Sequence, residues 1–336
     1  MGIRSAAGAL AGLDARDAGL AHEIVFGVLR YRAQLDYLIE HYAGRRQKLD
    51  PEVRIALRMA IYQLRYLERI PPHAAVADAV ELVKRARKRS AAGFVNAVLR
   101  KVNRDAVVWP NREVELSCPE WLLARWERQF GKEAAEGIAR AALAEPEKYT
   151  RGGRMQDIGA QSIVPLLELA PGQSFLDLCA APGNKTAQAL EAGVRATACD
   201  IHLHRLAQMK SLDARLVVLD GRQPLPFRRR FDRILVDAPC SGTGTLGRNP
   251  EAKWRLSPDD LPALQARQIA LLRNGLAALT ASGVLVYSTC SLEAEENETV
   301  VEAVNPSAHT MRRIPGRDPG DGFYAAVIKS GLPVNG

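Results

Sequence analysis

Two cysteines stand in settings that suit covalent chemistry. Cys240 lies in Asp237-Ala238-Pro239-Cys240-Ser241-Gly242-Thr243-Gly244, and Cys290 lies in Ser288-Thr289-Cys290-Ser291. Each motif closes a run of strand character, FDRILVDA and GVLVYSTC. Consecutive strands of this kind are expected to be neighbours, which would turn both thiols into one crevice. Two thiols beside an acid suit methylation at carbon 5 of a cytosine. That carbon is too electron-poor to attack a methyl sulfonium until a thiolate adds to carbon 6 and makes it enamine-like. Afterwards the proton on carbon 5 must leave and the enzyme–base bond must break, steps that a second thiol can assist. Asp237 can hydrogen-bond the base near N3 and its amino group, favouring charge build-up on the ring. A lone cysteine is most often a small buried hydrophobe, and Cys118 and Cys199 are read that way.

A methyl donor needs its own site, and the sharpest motif in the chain supplies one. Asp177-Leu178-Cys179-Ala180-Ala181-Pro182-Gly183-Asn184-Lys185-Thr186 leaves a predicted strand and enters a helix. Small residues let the backbone approach a ligand, and a helix start offers free amides. The loop matches neither the Walker A pattern G-x-x-x-x-G-K-[ST] nor G-x-G-x-x-G, which disfavours nucleotide triphosphates and dinucleotides. Cys179, Ala180, Ala181, Pro182, Gly183, Asn184 and Lys185 are the cofactor-loop candidates, with the backbone of Cys179 mattering more than its thiol. Asp200, Asp220 and Asp237 follow at the carboxyl ends of successive predicted strands, where open α/β sheets bind ligands. They suit, in order, ribose hydroxyls, an adenine amino group and a cationic amino-acid end. Any one alone reads most simply as a turn aspartate. Three in register describe an adenosyl amino-acid cofactor better than a phosphate-bearing one.

The elements that position these residues change character along the chain. Up to about Glu145 the pattern is helical. Leu20, Ile24, Val28, Leu35, Leu38, Ile39 and Tyr42 recur at helical spacing from Asp17 to Tyr42. Asp50-Pro51-Glu52 reads as an N-cap, a first-turn proline and an acid at the dipole's positive end. Val53, Leu57, Ala60, Ile61 and Leu64 face inward behind it, Pro71-Pro72 breaks the chain, and helices follow around 74–87, 94–102 and Trp121–Phe130. Beyond, SFLDLC, RATACD, LVVLD, FDRILVDA and GVLVYSTC alternate with helical stretches, the pattern of a parallel sheet covered on both faces. HTMRRI and FYAAVI are expected to form a terminal hairpin.

Bulk composition agrees. At 336 residues, 47% hydrophobic and 25% charged, the chain suits about two globular domains. Five cysteines without a C-x-x-C pair argue against a disulfide framework and a zinc site, so no metal is expected. No apolar run is long enough to span a bilayer, and the N-terminal stretch has no continuous apolar segment of the signal-peptide kind; a cytoplasmic location is expected. The net charge is +8, with 24 basic and 18 acidic residues before residue 146 and 22 and 20 after it. That asymmetry suits a polyanionic partner, and the run Lys84, Arg85, Arg87, Lys88 and Arg89 is the candidate phosphate contact.

The second half resembles the bacterial ribosomal RNA (cytosine-C5)-methyltransferases of the Sun/Fmu type, in the NOL1/NOP2/Sun family. The resemblance runs through DLCAAPGNKT, CDIH, VVLDG, DAPCSGTG, RNPEAKW, YSTCSLEAEEN and DPGDGFYAA. The first half is similar to a NusB-like RNA-binding domain through EIVFGVLRYRAQLD, YQLRYLERIPPHAAVADAVELVKR and GFVNAVLR. The resemblance implies an α/β, Rossmann-like S-adenosylmethionine-dependent methyltransferase sheet over residues 146–336 behind an all-helical NusB-like domain over 1–145. It implies Cys290 as nucleophile, Cys240 as the thiol aiding product release, and the cofactor against residues 179–185, Asp200, Asp220 and Asp237. The expected partner is RNA, 16S ribosomal RNA foremost, with no membrane, and the chain is expected to be a monomer. A cytosine methyltransferase acting on transfer RNA or another RNA, and a noncatalytic RNA-binding assembly factor that keeps the fold, are the alternatives; both cysteines and all three acids speak against the latter. Asn184 stands where the family often has glycine, a substitution expected to be harmless because asparagine tolerates left-handed backbone angles. The chain also passes from AEPEKYTRGG straight to MQDIGAQSIVPLL, where the family usually has a small α/β RNA-contacting subdomain.

Overall fold

A computed structural model describes residue 12, residues 14–44 and residues 48–329. The N-terminal stretch expected to lack a signal peptide lies largely outside the described residues. The rest falls into two compact units, one of residues up to Leu143 with Arg248–Glu251, the other of Ala144–Gly247 with the chain from Ala252 onward.

The first unit is helical: α1 (Ala15–Arg30), α2 (Arg32–Ala43), α3 (Pro51–Tyr66), α4 (Pro72–Arg85), α5 (Ala92–Leu99), α6 (Glu120–Phe130) and α7 (Lys132–Ala141). The periodic stretch from Asp17 to Tyr42 is two helices, because Tyr31 leaves helical geometry at φ −98°, ψ 16°. Leu20 lies on the outer side and is 40% exposed. Leu35, Leu38, Ile39, Val53, Leu57, Ile61, Val83, Val95 and Leu99 close into one core. Helix α3 begins at Pro51 as predicted, but the Asp50 side chain makes no cap hydrogen bond. Its carboxylate instead pairs with Lys88 at 2.8 Å, an ion pair replacing the local amide contact.

The second unit is built on a seven-stranded sheet of β1 (Ser174–Asp177), β2 (Arg195–Asp200), β3 (Ala214–Val218), β4 (Phe231–Asp237), β5 (Leu279–Thr289), β6 (His309–Arg313) and β7 (Phe323–Lys329). The order is β3-β2-β1-β4-β5-β7-β6. The first five strands run parallel, and β7 pairs antiparallel with both β5 and β6. Alternation assigns the cores. Leu176, Ile234, Val236, Leu285 and Tyr287 pack with Leu271 and Leu272 of α9 (Leu261–Ala277) on one face. Phe175, Leu235 and Val286 pack with Ile163, Leu167 and Ala189 on the other. A period of two with both sets buried means a sheet covered on both faces. The sheet order reverses between β1 and β4, where such folds bind ligands. Between Ala144 and β1 the chain forms only a hairpin of two-residue strands (Thr150–Arg151 with Arg154–Met155) and two single helical turns.

Candidate active site

The two thiols meet. Strands β4 and β5 pair in parallel with Asp237 opposite Ser288, so both loops leave the sheet at one level. The sulfur of Cys240 lies 3.4 Å from that of Cys290. The loops are laced by backbone bonds, Ala238 N–H to Ser288 O (2.8 Å) and Gly244 N–H to Cys290 O (2.9 Å). Gly244 leaves no room for a side chain: a Cβ there would lie 2.5 Å from Gly322 O and 2.9 Å from Cys290 O. The hydrogen bond with Cys290, reinforced by burial, pushes the Cys240 thiol well above the usual cysteine range. Cys240 therefore keeps its proton at neutral pH.

Asp237 is the hinge between thiols and cofactor loop. Its Oδ2 accepts from Lys185 Nζ at 2.7 Å and its Oδ1 from Ser288 Oγ at 2.7 Å. Burial works to discharge Lys185, but attraction and hydrogen bonding to Asp237 outweigh it and hold the ammonium above the ordinary lysine value. The lysine also lies 5.4 Å from the Phe323 ring centroid.

The loop behind Asp177 is tied to its neighbours by Leu178 N–H to Leu235 O (3.0 Å) and Ala180 N–H to Cys199 O (2.8 Å). Gly183 takes φ +104°, and a Cβ there would meet Met209 Cγ at 2.8 Å, so only glycine fits. Asn184 is not left-handed; it opens α8 (Asn184–Leu190) and donates from Nδ2 to Met155 O at 2.8 Å. The left-handed residue is Gly183, so the tolerance of asparagine for such angles is not what accommodates it. Asp177 accepts from Thr186 Oγ1 at 2.7 Å, while its Oδ1 is buried without a partner. Burial pushes this carboxyl up to about 7. Burial and nearby acids likewise raise the Cys179 thiol, consistent with a backbone role.

The remaining acids differ. Asp200 is buried and accepts from His202 N–H at 2.8 Å. Asp220 sits past the end of β3 and is gripped by Arg222 through contacts of 2.6–3.1 Å. That hydrogen bonding holds its carboxyl below the usual range. A group donating into this corner shares Asp220 with Arg222. Beside Asp200, Ile201, His202, Leu203, Leu206, Leu216 and Val218 line a cavity of about 690 Å³. The donor set fits S-adenosylmethionine: it is rich in acceptors, and Lys185 and Arg222 are already engaged by carboxylates, which leaves a polyphosphate unmatched.

Periodicity did not reveal that cavity, nor Ser288, Gln268 and Glu296, which surround the thiol loops. Ile201, Leu203 and Val218 carry it as exposed apolar side chains, which sequence cannot tell from core. Glu296 sits in the acidic run SLEAEEN, where nothing separates a buried carboxylate from a solvated one.

Sheet order and loop placement define a Rossmann-like methyltransferase. The profile of the 16S rRNA methyltransferase RsmB/F family matches residues 164–309, and that of the NusB family residues 4–104. The Bacillus subtilis (strain 168) protein named probable ribosomal RNA small subunit methyltransferase B is 32% identical over 87% of this chain and 80% of its own. The ribosomal RNA small subunit methyltransferase B of Yersinia enterocolitica is 31% identical over 93% and 90%. The chain belongs to this methyltransferase family, and is an RNA methyltransferase that uses S-adenosylmethionine. The Bacillus match extends over 359 positions, of which 87% of this chain supplies about 292, so about 67 positions of the longer relative have no counterpart here. Among solved structures, PH0851 superposes with a TM-score of 0.75 at 21% identity, covering 95% of this chain and 92% of that one. A methyltransferase homologue from Pyrococcus horikoshii gives 0.55 at 23% identity, over 66% and 100%. These two establish the shared fold.

Proposed function

We propose that this protein methylates carbon 5 of a cytosine in 16S ribosomal RNA, with Cys290 as nucleophile and Cys240 as the thiol that assists release. Residues 146–336 form the methyltransferase domain in this reading, and 1–145 the NusB-like RNA-binding domain. The observation that carries it is the 3.4 Å approach of the two sulfurs at the ends of β4 and β5, beside Asp237. Cys240 keeps its proton within hydrogen-bond reach of the Cys290 sulfur, and in this reading Cys290 is the thiol that attacks carbon 6 as the thiolate. Asp237 has lone pairs left over from Lys185 and Ser288 with which to accept from the cytosine amino group. Residues 179–185, Asp200 and Asp220 hold the cofactor, with the cavity at Ile201 and Val218 supplying apolar walls. The bound cofactor supplies an electrophilic methyl group on a sulfonium. Once carbon 5 is methylated, its proton leaves to a base, the Cys290–carbon 6 bond breaks, and the thiolate is restored. The departing sulfur is the one Cys240 touches.

Cys290→Ser should abolish methylation while leaving cofactor binding, because a serine hydroxyl is scarcely ionised near neutral pH. Cys240→Ala should accumulate a covalent RNA–protein adduct, seen as a slow band on a denaturing gel and lost on RNase treatment. The double variant should show none. An adduct trapped by Cys290→Ala and absent from Cys240→Ala would reverse the roles. Methylation intact in both single variants would return the cysteines to packing.

A further inference from the structure

We propose that Glu296 is a positioning residue for both thiols, a buried carboxylate that ties the Cys240 loop to the Cys290 loop and fixes the separation of the sulfurs. The proposal rests on reading Cys240 and Cys290 as the reacting pair. Glu296 is fully buried and touches neither sulfur. Its Oε1 accepts from Ser241 N–H and from Gln268 Nε2, both at 2.9 Å. Its Oε2 accepts from Ser291 Oγ at 2.5 Å and from Ser241 Oγ. Ser241 and Ser291 are the residues directly after the two cysteines. One side chain therefore holds the same position in both loops.

The residues before the cysteines are held by the same cluster. Gln268, reaching in from α9, donates to Pro239 O at 3.0 Å as well as to Glu296. Asn297, next to Glu296, accepts from Thr289 Oγ1 at 2.6 Å and donates to Ser291 O at 2.9 Å. Each cysteine is thus bracketed on both sides by bonds converging on residues 296–297. The backbone at Glu296 is itself fixed by Tyr287 O–H donating to its carbonyl at 2.6 Å.

The chemistry explains why a carboxylate stands here. All four groups facing it donate, and a carboxylate is an acceptor only. Burying a charge against uncharged donors is costly, so the bonds hold only while all of them are made together. A glutamine of the same shape would turn a donor toward the serine hydroxyls or toward the Ser241 amide. The cluster would still pack, but one of the two loop ties would be broken. Thiol separation would then no longer be set.

The test compares full-length wild type with Glu296→Gln, using thiol cross-linking as a readout independent of RNA chemistry. Diamide takes two electrons and two protons from a thiol pair and leaves a disulfide, and mass spectrometry of the Cys240–Cys290 peptide pair gives its rate. Disulfide formation depends sharply on geometry, so the variant should cross-link about tenfold more slowly. Its kcat should fall by about 100-fold, as expected for a misplaced reacting group, with KM for RNA and cofactor little changed. Stabilisation by S-adenosylhomocysteine in a thermal melt certifies the fold. If Glu296→Gln fails that check, Ser241→Ala with Ser291→Ala removes both hydroxyl ties, and with them the whole link to the Cys290 loop through Ser291, while keeping the carboxylate and its bond from Ser241 N–H. Wild-type cross-linking rate and wild-type kcat in a folded variant would overturn the proposal. Slow cross-linking with no adduct from Cys240→Ala would keep Glu296 as the thiol clamp and overturn the covalent reading instead.

Discussion

Lys185 and Asp177 show how single charges organise the site. Lys185 is the cation on Asp237, and its removal leaves a partly buried carboxylate with only Ser288. Lys185→Met should cost about 2 kcal/mol in denaturant unfolding, the penalty of an unpaired buried charge, and should suppress turnover. Unfolding at wild-type stability would mean that Asp237 is solvated enough not to need its partner. Asp177 titrates in the other sense. Burial raises its carboxyl from 3.8 to about 7, so the folded chain keeps a proton there that the unfolded chain releases. The stability this contributes is full below the unfolded value and is lost as pH rises through about 7. Asp177→Asn should flatten that decline: urea midpoints at about pH 5 and about pH 8 should differ less in the variant than in wild type. An unchanged difference would place the titration elsewhere.

At the scale of elements, the thiol contact follows from strand register. Thiols three and one residues past the ends of neighbouring parallel strands meet only if β4 and β5 pair with Asp237 opposite Ser288. Gly244 guards that arrangement. Its would-be Cβ faces two backbone carbonyls that cannot rotate away, so Gly244→Ala should destabilise by about 1–3 kcal/mol and part the loops, read by urea unfolding and by slower Cys240–Cys290 cross-linking. Wild-type values in both would show that the loops yield without cost. This part of the fold was legible because strand-end motifs, apolar runs and parallel order all follow from local pattern. The bundle was legible by the same route, with its errors at the joints. Tyr31 interrupts an unbroken apolar period, and Asp50 chooses a distant lysine over its own helix. Glu296 stayed invisible because four donors converge on it from three separate segments, and only tertiary structure brings them together.

For the whole molecule, the question is where RNA is gripped. The segment from Ala144 to β1 offers little surface for it, since it holds only a two-residue-stranded hairpin and two helical turns. The net positive charge, in contrast, is concentrated before residue 146. The basic run at the end of α4 is the sequence candidate there, and the structure sorts its members. Lys88 is paired with Asp50 at 2.8 Å, so its charge is already partly answered. Arg87 takes a left-handed φ of 61°, a conformation that costs a non-glycine side chain energy and marks a sharply turned chain. Lys84, Arg85 and Arg89 line an open cavity of about 430 Å³ with Glu81, whose carboxylate lies 3.3 Å from Arg85. An exposed i,i+4 pair of this kind is weak and can yield to a phosphate. Phosphate contacts release counterions, so RNA affinity should fall steeply with salt. Replacing Lys84, Arg85 and Arg89 together by glutamine should lower affinity at low salt and flatten the log–log slope by roughly 0.7–0.9 for each phosphate that is no longer neutralised. Lys88→Gln alone should change the slope little, because Asp50 already occupies it. If the triple variant keeps both affinity and slope, this run is a solvated helix end and the RNA is held on another face.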